Sequence, residues 1–140
     1  MEIIENLGTE FSWIYRKNLQ EINNKLKKID ITYNMAILLT TIYRNPGITQ
    51  NELAILTCLE KTNISKILKA LLEDNYVRKE YSQTDKRFFN IYLSEAGLEK
   101  LLKIKDIVFL NWISNLKNID EEEVASFLNT LKKISNNMNE

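Results

Sequence analysis

The chain of 140 residues contains no histidine and a single cysteine, Cys58. Catalytic triads built on an imidazole base and zinc sites that use histidine are therefore excluded. One cysteine also excludes a disulfide within the chain. The carboxylates do not cluster as in a metal site, and the sequence has no glycine-rich phosphate loop. We therefore expect no metal, no cofactor and no enzymatic activity.

Proline and glycine are also scarce, since the chain has one proline, Pro46, and three glycines. Both residues interrupt helices, so their scarcity is typical of proteins with long helices. Apolar runs are far shorter than the 18 or so residues that cross a bilayer. The first residues lack the basic start and the cleavage site of a signal peptide. We expect a cytoplasmic protein with no membrane partner.

Basic and acidic side chains balance at 19 each, but they are unevenly distributed. Residues 61–87 carry seven basic and four acidic side chains, whereas the other parts of the chain are balanced or slightly acidic. A surplus of three charges is not informative by itself. It supports binding to nucleic acid only if the same window also has a recognisable binding architecture.

The first half of the chain is predicted to be helical. Apolar residues at steps of three and four predict a long helix from about Asn6 to Lys28. A second helix begins at Thr32 as N-cap and ends at residues 45–47, where proline and glycine break it. Thr49 and Glu52 have the spacing of a capping box, which predicts a third, short helix.

The second half contains a change of period. A further amphipathic helix covers residues 61–72, after which 76–81 and 88–93 are rich in aromatic and branched residues. These two segments predict a β-hairpin, and the polar turn 82–87 gives it a charged tip. A helix then starts at Ser94, and a last helix starts at Asp120 with an apolar stripe that we expect to be buried.

Two short helices followed by a hairpin are typical of a winged helix-turn-helix. In such a fold the second helix fits the major groove, while the hairpin reaches the backbone or the minor groove. The polar face of this helix and the hairpin tip supply the predicted DNA contacts, and an arginine at the tip suits a narrow minor groove. The predicted contacts are Lys61, Thr62, Asn63, Ser65, Lys66, Lys69, Lys86 and Arg87.

Residues Ile48 to Gly97 resemble the winged-helix core of the MarR family of bacterial transcriptional regulators. The most specific features are Asp85-x-Arg87 in the wing and the segment 93–97 that closes it. The resemblance implies a mainly α fold with a small β-hairpin wing. It also implies that Asp85 orients Arg87 for the minor groove, and that Thr62, Asn63, Ser65 and Lys66 contact an operator.

The same resemblance implies an architecture and a mode of action. Residues 1–30 and 98–140 would form a helical dimerisation region, and residues 31–97 the DNA-binding domain. The homodimer would be a repressor with two recognition helices about 34 Å apart on a pseudo-palindromic operator. A small aromatic or other organic effector would relieve binding. The candidate pocket residues are Phe11, Trp13, Tyr15, Tyr33 and Trp112. The alternative is that these aromatic side chains are ordinary core residues and bind no ligand.

Three residues depart from the family pattern: Thr57, Cys58 and Glu60. Glutamate is a poor N-cap and would repel phosphate. Together with the zero net charge, Glu60 leaves open an alternative, a winged-helix module that binds protein and has a degenerate DNA-binding face. Cys58 has no partner within the chain, and we expect a half-buried core cysteine rather than a redox sensor.

Overall fold

The computed structural model describes all 140 residues of the chain. The predicted fold class, mainly α with a small β-hairpin wing, is confirmed. The chain divides into two compact units, Met1–Phe109 and Leu110–Glu140. A 3₁₀ turn over Lys27–Ile29 follows the first helix. In chain order, the elements are α1 Glu2–Leu26, α2 Tyr33–Arg44, α3 Gln50–Thr57, α4 Lys61–Glu73, β1 Val77–Tyr81, β2 Phe89–Leu93, α5 Glu95–Asn115 and α6 Glu121–Met138.

Side-chain caps start four of these helices at the predicted residues Thr32, Thr49, Ser94 and Asp120. The Thr32 hydroxyl accepts from the amide of Met35 at 3.2 Å and caps α2. Thr49 and Glu52 form the predicted capping box of α3. Asp120 accepts from the third amide of α6 at 2.9 Å. These bonds satisfy amides that a helix N-terminus leaves free, so the sequence defines these starts locally.

The core of the first unit lies among α1 to α5 and the hairpin. It includes the apolar side of α4, which therefore turns its polar side away from the protein. Burying these side chains stabilises the unit by roughly 1.5–3 kcal/mol each. The fully buried members are Leu26, Leu38, Leu39, Leu53, Ile64, Leu71, Ile91 and Leu101.

The hairpin strands are antiparallel, and their register pairs Val77 with Leu93 and Tyr81 with Phe89. A short third segment extends this sheet, because the Ile91 amide donates to the Ile48 carbonyl and the Gly47 amide donates to the Ile91 carbonyl, both at 2.9 Å. Gly47 has a φ of +83°, which glycine adopts without strain. The turn after α2 is thus bonded directly to the root of the wing.

The start of α5 is held closely against the hairpin. The Ser94 amide donates to the Tyr76 carbonyl at 3.0 Å, and the Ser94 hydroxyl donates to the Asn75 carbonyl at 2.5 Å. The Gly97 amide in turn donates to the Ser94 hydroxyl at 3.0 Å. A Cβ atom at Gly97 would lie 2.0 Å from the Tyr76 carbonyl oxygen. Only glycine fits at position 97 without movement of the backbone.

The second unit contains the end of α5 and all of α6. Our prediction that the apolar stripe of α6 is buried is wrong for the single chain, in which α6 has no buried residue. The side chains of Phe127 and Leu128 are 54% and 50% exposed. The stripe has the expected helical spacing, but spacing alone does not supply a surface to cover it.

None of the six helices combines the length and the hydrophobicity of a membrane span.

Candidate nucleic-acid interface

Helix α4 separates a buried apolar side from an exposed polar side. Ile64, Ile67, Leu68 and Leu71 are buried in the core. Because these residues recur at three- and four-residue steps, the polar side chains between them lie on the other side of the helix, while Ala70 and Leu72 are partly buried against the core. Asn63 is half-buried. The predicted contacts that are exposed along α4 are Lys61, Thr62, Ser65, Lys66 and Lys69.

The Ser65 hydroxyl is already hydrogen-bonded within the protein. It donates to the Lys61 carbonyl at 3.1 Å and accepts from Nε2 of Gln50 at 2.5 Å. Gln50 is the first residue of α3, so this bond connects the two helices of the helix-turn-helix. Sequence reasoning missed Gln50, because a residue that follows an N-cap carries no pattern that predicts a partner fifteen residues away.

The wing tip holds an arginine in a fixed orientation. Arg87 donates to the Asp85 carboxylate through Nε, at 3.1 and 3.3 Å, and through a terminal guanidinium nitrogen at 2.8 Å. The Arg87 amide donates to the same carboxylate at 3.0 Å. The Arg87 side chain is nevertheless 84% exposed. Asp85 therefore orients the guanidinium while leaving part of it open to a partner.

This pair changes the ionisation of both residues. The hydrogen bonds from the Arg87 side chain, and then from its backbone amide, lower the pKa of Asp85 below its ordinary 3.8. The Asp85 carboxylate raises the pKa of Arg87. The Ser82 hydroxyl accepts from the amides of Thr84 and Asp85, both at 3.3 Å, which shapes the turn. Lys86 is exposed beside this pair.

The ion pair at the wing tip should be lost in acid. Because the pKa of Asp85 in the folded protein lies below 3.8, the pair is present above that pH and is lost as the pH falls through the lowered pKa. We expect the Nε–H resonance of Arg87 in ¹⁵N NMR to move over this acidic range. Asp85→Asn should shift the same resonance at neutral pH, whereas Arg44 serves as the control. An Arg87 signal that is indifferent to both changes would contradict this role.

The turn between α3 and α4 contains the three residues that depart from the family pattern. Cys58 is exposed and ends α3 with a left-handed φ of 56°, so our prediction of a half-buried core cysteine is wrong. The Thr57 hydroxyl donates to the Leu53 carbonyl at 2.6 Å. Glu60 is the N-cap of α4 and makes no side-chain capping bond, as expected for glutamate.

The predicted effector residues are spread over three helices. Phe11, Trp13 and Tyr15 are exposed on α1, where Trp13 lies about 200° around the helix from each of the other two. Tyr33 packs against the core of the first unit. Burial raises the pKa of the Tyr33 phenol, and the nearby Tyr15 raises it further. Trp112 belongs to the second unit and is partly exposed.

Comparison with known proteins identifies the family. Residues 20–104 match the family model described as transcriptional regulator SarA/Rot, which is more than half of the chain. The chain belongs to the SarA/Rot family of transcriptional regulators. SarZ, an HTH-type transcriptional regulator from Staphylococcus haemolyticus, is 30% identical over 115 residues, which are 80% of this chain and 75% of SarZ.

Solved structures show the same fold in other members of this regulator class. A MarR transcriptional regulator from Methanosarcina mazei has a TM-score of 0.87 and 22% identity, with 95% of this chain and 96% of that chain covered. A mutant MarR from E. coli complexed with operator DNA has a TM-score of 0.78 and 26% identity, with 94% of each chain covered. The predicted resemblance of this SarA/Rot regulator to the MarR family is confirmed.

Two further relatives are matched over a smaller part of their length. The chain spans 63% of a regulatory protein for the hcr operon of Thauera aromatica, at 23% identity over 104 residues. It spans 53% of an uncharacterized HTH-type transcriptional regulator of Bacillus subtilis, at 29% identity over 80 residues.

Proposed function

We propose that the regulator is a homodimeric repressor that binds a pseudo-palindromic operator, with α4 in the major groove and the wing tip in the adjacent minor groove. The observation that carries this proposal is the exposed polar face of α4 beside an arginine that Asp85 orients. The E. coli MarR complex with operator DNA supports DNA as the partner of this fold. An operator on the bacterial chromosome would place the protein in the cytoplasm.

The side chains of α4 divide into two classes of contact. Lys66 and Asn63 suit base edges, since lysine can bond guanine and asparagine can bond adenine in the major groove. Lys61 and Lys69 suit phosphates, as does Thr62 if its hydroxyl reaches the backbone. The Ser65 hydroxyl has given its hydrogen to the Lys61 carbonyl, so Ser65 suits a donor on a base edge. In the wing, Arg87 suits the minor groove and Lys86 the neighbouring phosphates. The zero net charge of the chain does not oppose this, because residues 61–87 have a local surplus of three positive charges.

We assign dimerisation to residues 1–30 and 98–140, and DNA binding to residues 31–97. Support comes from large apolar side chains that the single chain leaves exposed in both terminal regions, among them Leu7, Phe109, Ile113, Phe127 and Leu128. Monomeric proteins rarely expose so many large apolar residues along one pair of segments. A second copy would cover them and would double the positive surplus that faces DNA to six.

An organic effector would act on the operator-bound dimer. The raised pKa of Tyr33, with Tyr15 contributing to it, supports proximity of these two aromatic residues. Phe11 lies four residues before Tyr15 and shares its face of α1, whereas Trp13 lies on the opposite face. Aromatic side chains suit an aromatic ligand through stacking. A ligand that binds the free dimer more tightly than the DNA-bound dimer would release the operator and relieve repression.

The test of DNA binding is a gel shift with the DNA that flanks the gene, repeated over a range of salt concentrations. Specific binding that weakens steeply with salt is expected, because lysine and arginine release counterions from phosphates. Equal binding to random DNA at low salt would contradict operator recognition. Absence of any DNA binding would favour the alternative, a winged-helix module that binds protein. Glu60, an acidic N-cap of α4 that makes no side-chain capping bond, also supports this alternative.

Two substitutions should separate affinity from specificity. Arg87→Ala should weaken binding to many sequences alike, by about 1–3 kcal/mol, because the lost contact is to the minor groove and backbone. Asn63→Ala should chiefly reduce the preference for the operator over altered half-sites, by about 1–3 kcal/mol at one base pair. Titrations of each variant with the operator and with operators that carry altered half-sites measure the loss of affinity and the loss of specificity. Wild-type affinity in Arg87→Ala would show that the wing assignment is wrong.

A further inference from the structure

A trough with an apolar floor and cationic side chains on its walls runs between α4 and the β-hairpin. It consists of two concavities of about 360 Å³ and 220 Å³ that share Gln50 and Phe89 on their walls. Lys69 and Lys79 line the larger concavity, and Lys61 and Arg87 line the smaller one. Glu73 is the one carboxylate that lines either of them. The trough therefore presents four cationic side chains and suits an anionic chain.

The Gln50 side chain lies in the middle of the trough with hydrogen-bonding capacity to spare. One N–H of its amide is used on the Ser65 hydroxyl. The amide group has a second N–H, which can donate to another acceptor. The Ser65 hydroxyl has given its hydrogen to the Lys61 carbonyl, so it can only accept. Since phosphate oxygens are acceptors, Gln50 can bond a phosphate where Ser65 in this arrangement cannot.

Lys79 forms the opposite wall of the trough. This residue belongs to β1, and its ammonium lies 4.1 Å from the centre of the Phe89 ring. The cation–π contact holds the side chain along the hairpin and leaves the N–H donors of the ammonium available. Neither Gln50 nor Lys79 belongs to the face of α4 or to the wing tip, so the sequence pattern did not predict them as contacts.

We propose that this trough seats the sugar–phosphate backbone of one DNA strand, with Gln50 and Lys79 donating to its phosphates and Ser65 acting as the positioning residue of Gln50. The proposal rests on the proposed function. When a helix occupies the major groove and a wing the adjacent minor groove, the strand that separates the two grooves must pass between them. The trough is the space between α4 and the wing.

Gln50→Glu and Gln50→Ala test the contact at Gln50. Both variants lose the donor to phosphate, but glutamate also places a negative charge against it. We expect Gln50→Glu to bind a random-sequence duplex about tenfold more weakly than Gln50→Ala. A residue that only braces the two helices would give the opposite order, because glutamate can accept from the Ser65 hydroxyl once this hydroxyl turns away from the Lys61 carbonyl, whereas alanine can form no bond to it. Equal or tighter binding by Gln50→Glu would overturn the proposal.

Lys79→Gln tests the other wall through the salt dependence of binding to the same duplex. Losing one phosphate contact should reduce the slope of log K against log[salt] by about 0.9. Lys28→Gln, an exposed lysine of the 3₁₀ turn outside the trough, is the matched control and should keep the wild-type slope. An unchanged slope in Lys79→Gln would overturn its assignment. Circular dichroism and thermal unfolding of each variant exclude loss of fold as the cause.

A double-mutant cycle between Ser65→Ala and Gln50→Ala tests the positioning role. If Ser65 acts through Gln50, Ser65→Ala should weaken binding several-fold in the wild type and have little effect in Gln50→Ala. A full effect in both backgrounds would mean that Ser65 contacts DNA itself. If the wild-type protein binds no duplex, the proposed function is overturned together with the trough. If the wild type binds DNA and the Gln50 and Lys79 variants bind it equally well, only the role of the trough is overturned.

Discussion

Gly97→Ala should destabilise the winged-helix core by about 3 kcal/mol. The added Cβ would lie 2.0 Å from the Tyr76 carbonyl oxygen and 2.9 Å from a Leu93 methyl group. The carbonyl is held by the Ser94 amide and cannot rotate away without losing that bond. A loss of this size is a large part of the roughly 5–15 kcal/mol that stabilises an ordinary domain.

Chemical denaturation followed by circular dichroism measures this effect, with Gly8→Ala as the control. Gly8 lies within α1, and no atom lies within 4 Å of the place that an added Cβ would take. Alanine should therefore stabilise the helix there by about 0.5–1 kcal/mol. The same substitution is thus expected to have opposite signs at the two glycines. A Gly97→Ala protein as stable as wild type would contradict the close approach of α5 to the hairpin.

Leu128→Asp should convert the proposed dimer to a monomer. Leu128 lies in the apolar stripe of α6 and is 50% exposed in the single chain. In a dimer that covers this stripe, aspartate would be buried without a partner, which costs several kcal/mol per subunit. Because two half-sites are bound by two linked subunits, loss of the dimer should also reduce operator affinity by a factor on the order of 100 or more, as expected for lost bivalency.

Sedimentation equilibrium at micromolar concentration measures the mass, and a gel shift measures the operator affinity. Ser126→Asp is the matched control, since it adds the same charge to the same helix about 200° away from Leu128. It should remain dimeric and bind the operator. A wild-type monomer, or a Leu128→Asp protein that stays dimeric, would show that α6 does not contribute to an interface.

The hairpin and the capped helices could be predicted closely because their signals are local. Predicted strands at 76–81 and 88–93 correspond to Val77–Tyr81 and Phe89–Leu93 in the structure. The capping box at Thr49 is where its spacing places it. The geometry of Asp85 and Arg87 is also as the resemblance implies, since two residues separated by one position in a tight turn can pair directly. Their contacts with DNA stay a prediction.

Features that depend on distant parts of the chain could not be predicted in this way. The Ile48–Ile91 pair is a single bridge, too short to produce an alternating pattern. Gln50 meets Ser65 only because α3 and α4 cross. The stripe of α6 predicted the right helix, but the single chain leaves the stripe uncovered, because periodicity shows which face is apolar and not what covers it. The prediction for Cys58 relied on the fact that cysteine is usually buried. Here Cys58 is the C-cap of α3 and has a left-handed backbone conformation.

The bridge between Ile48 and Ile91 closes a loop of chain that contains the whole of α3, α4 and β1. Opening the bridge would release the root of the wing from the turn that precedes α3. Segments enclosed in this way tend to open together as one cooperative unit in native-state hydrogen exchange. The amides of Gly47 and Ile91 should therefore exchange with the slow amides of α4 rather than with those of the hairpin tip. The wing and the recognition helix would then keep or lose their mutual geometry in a single step.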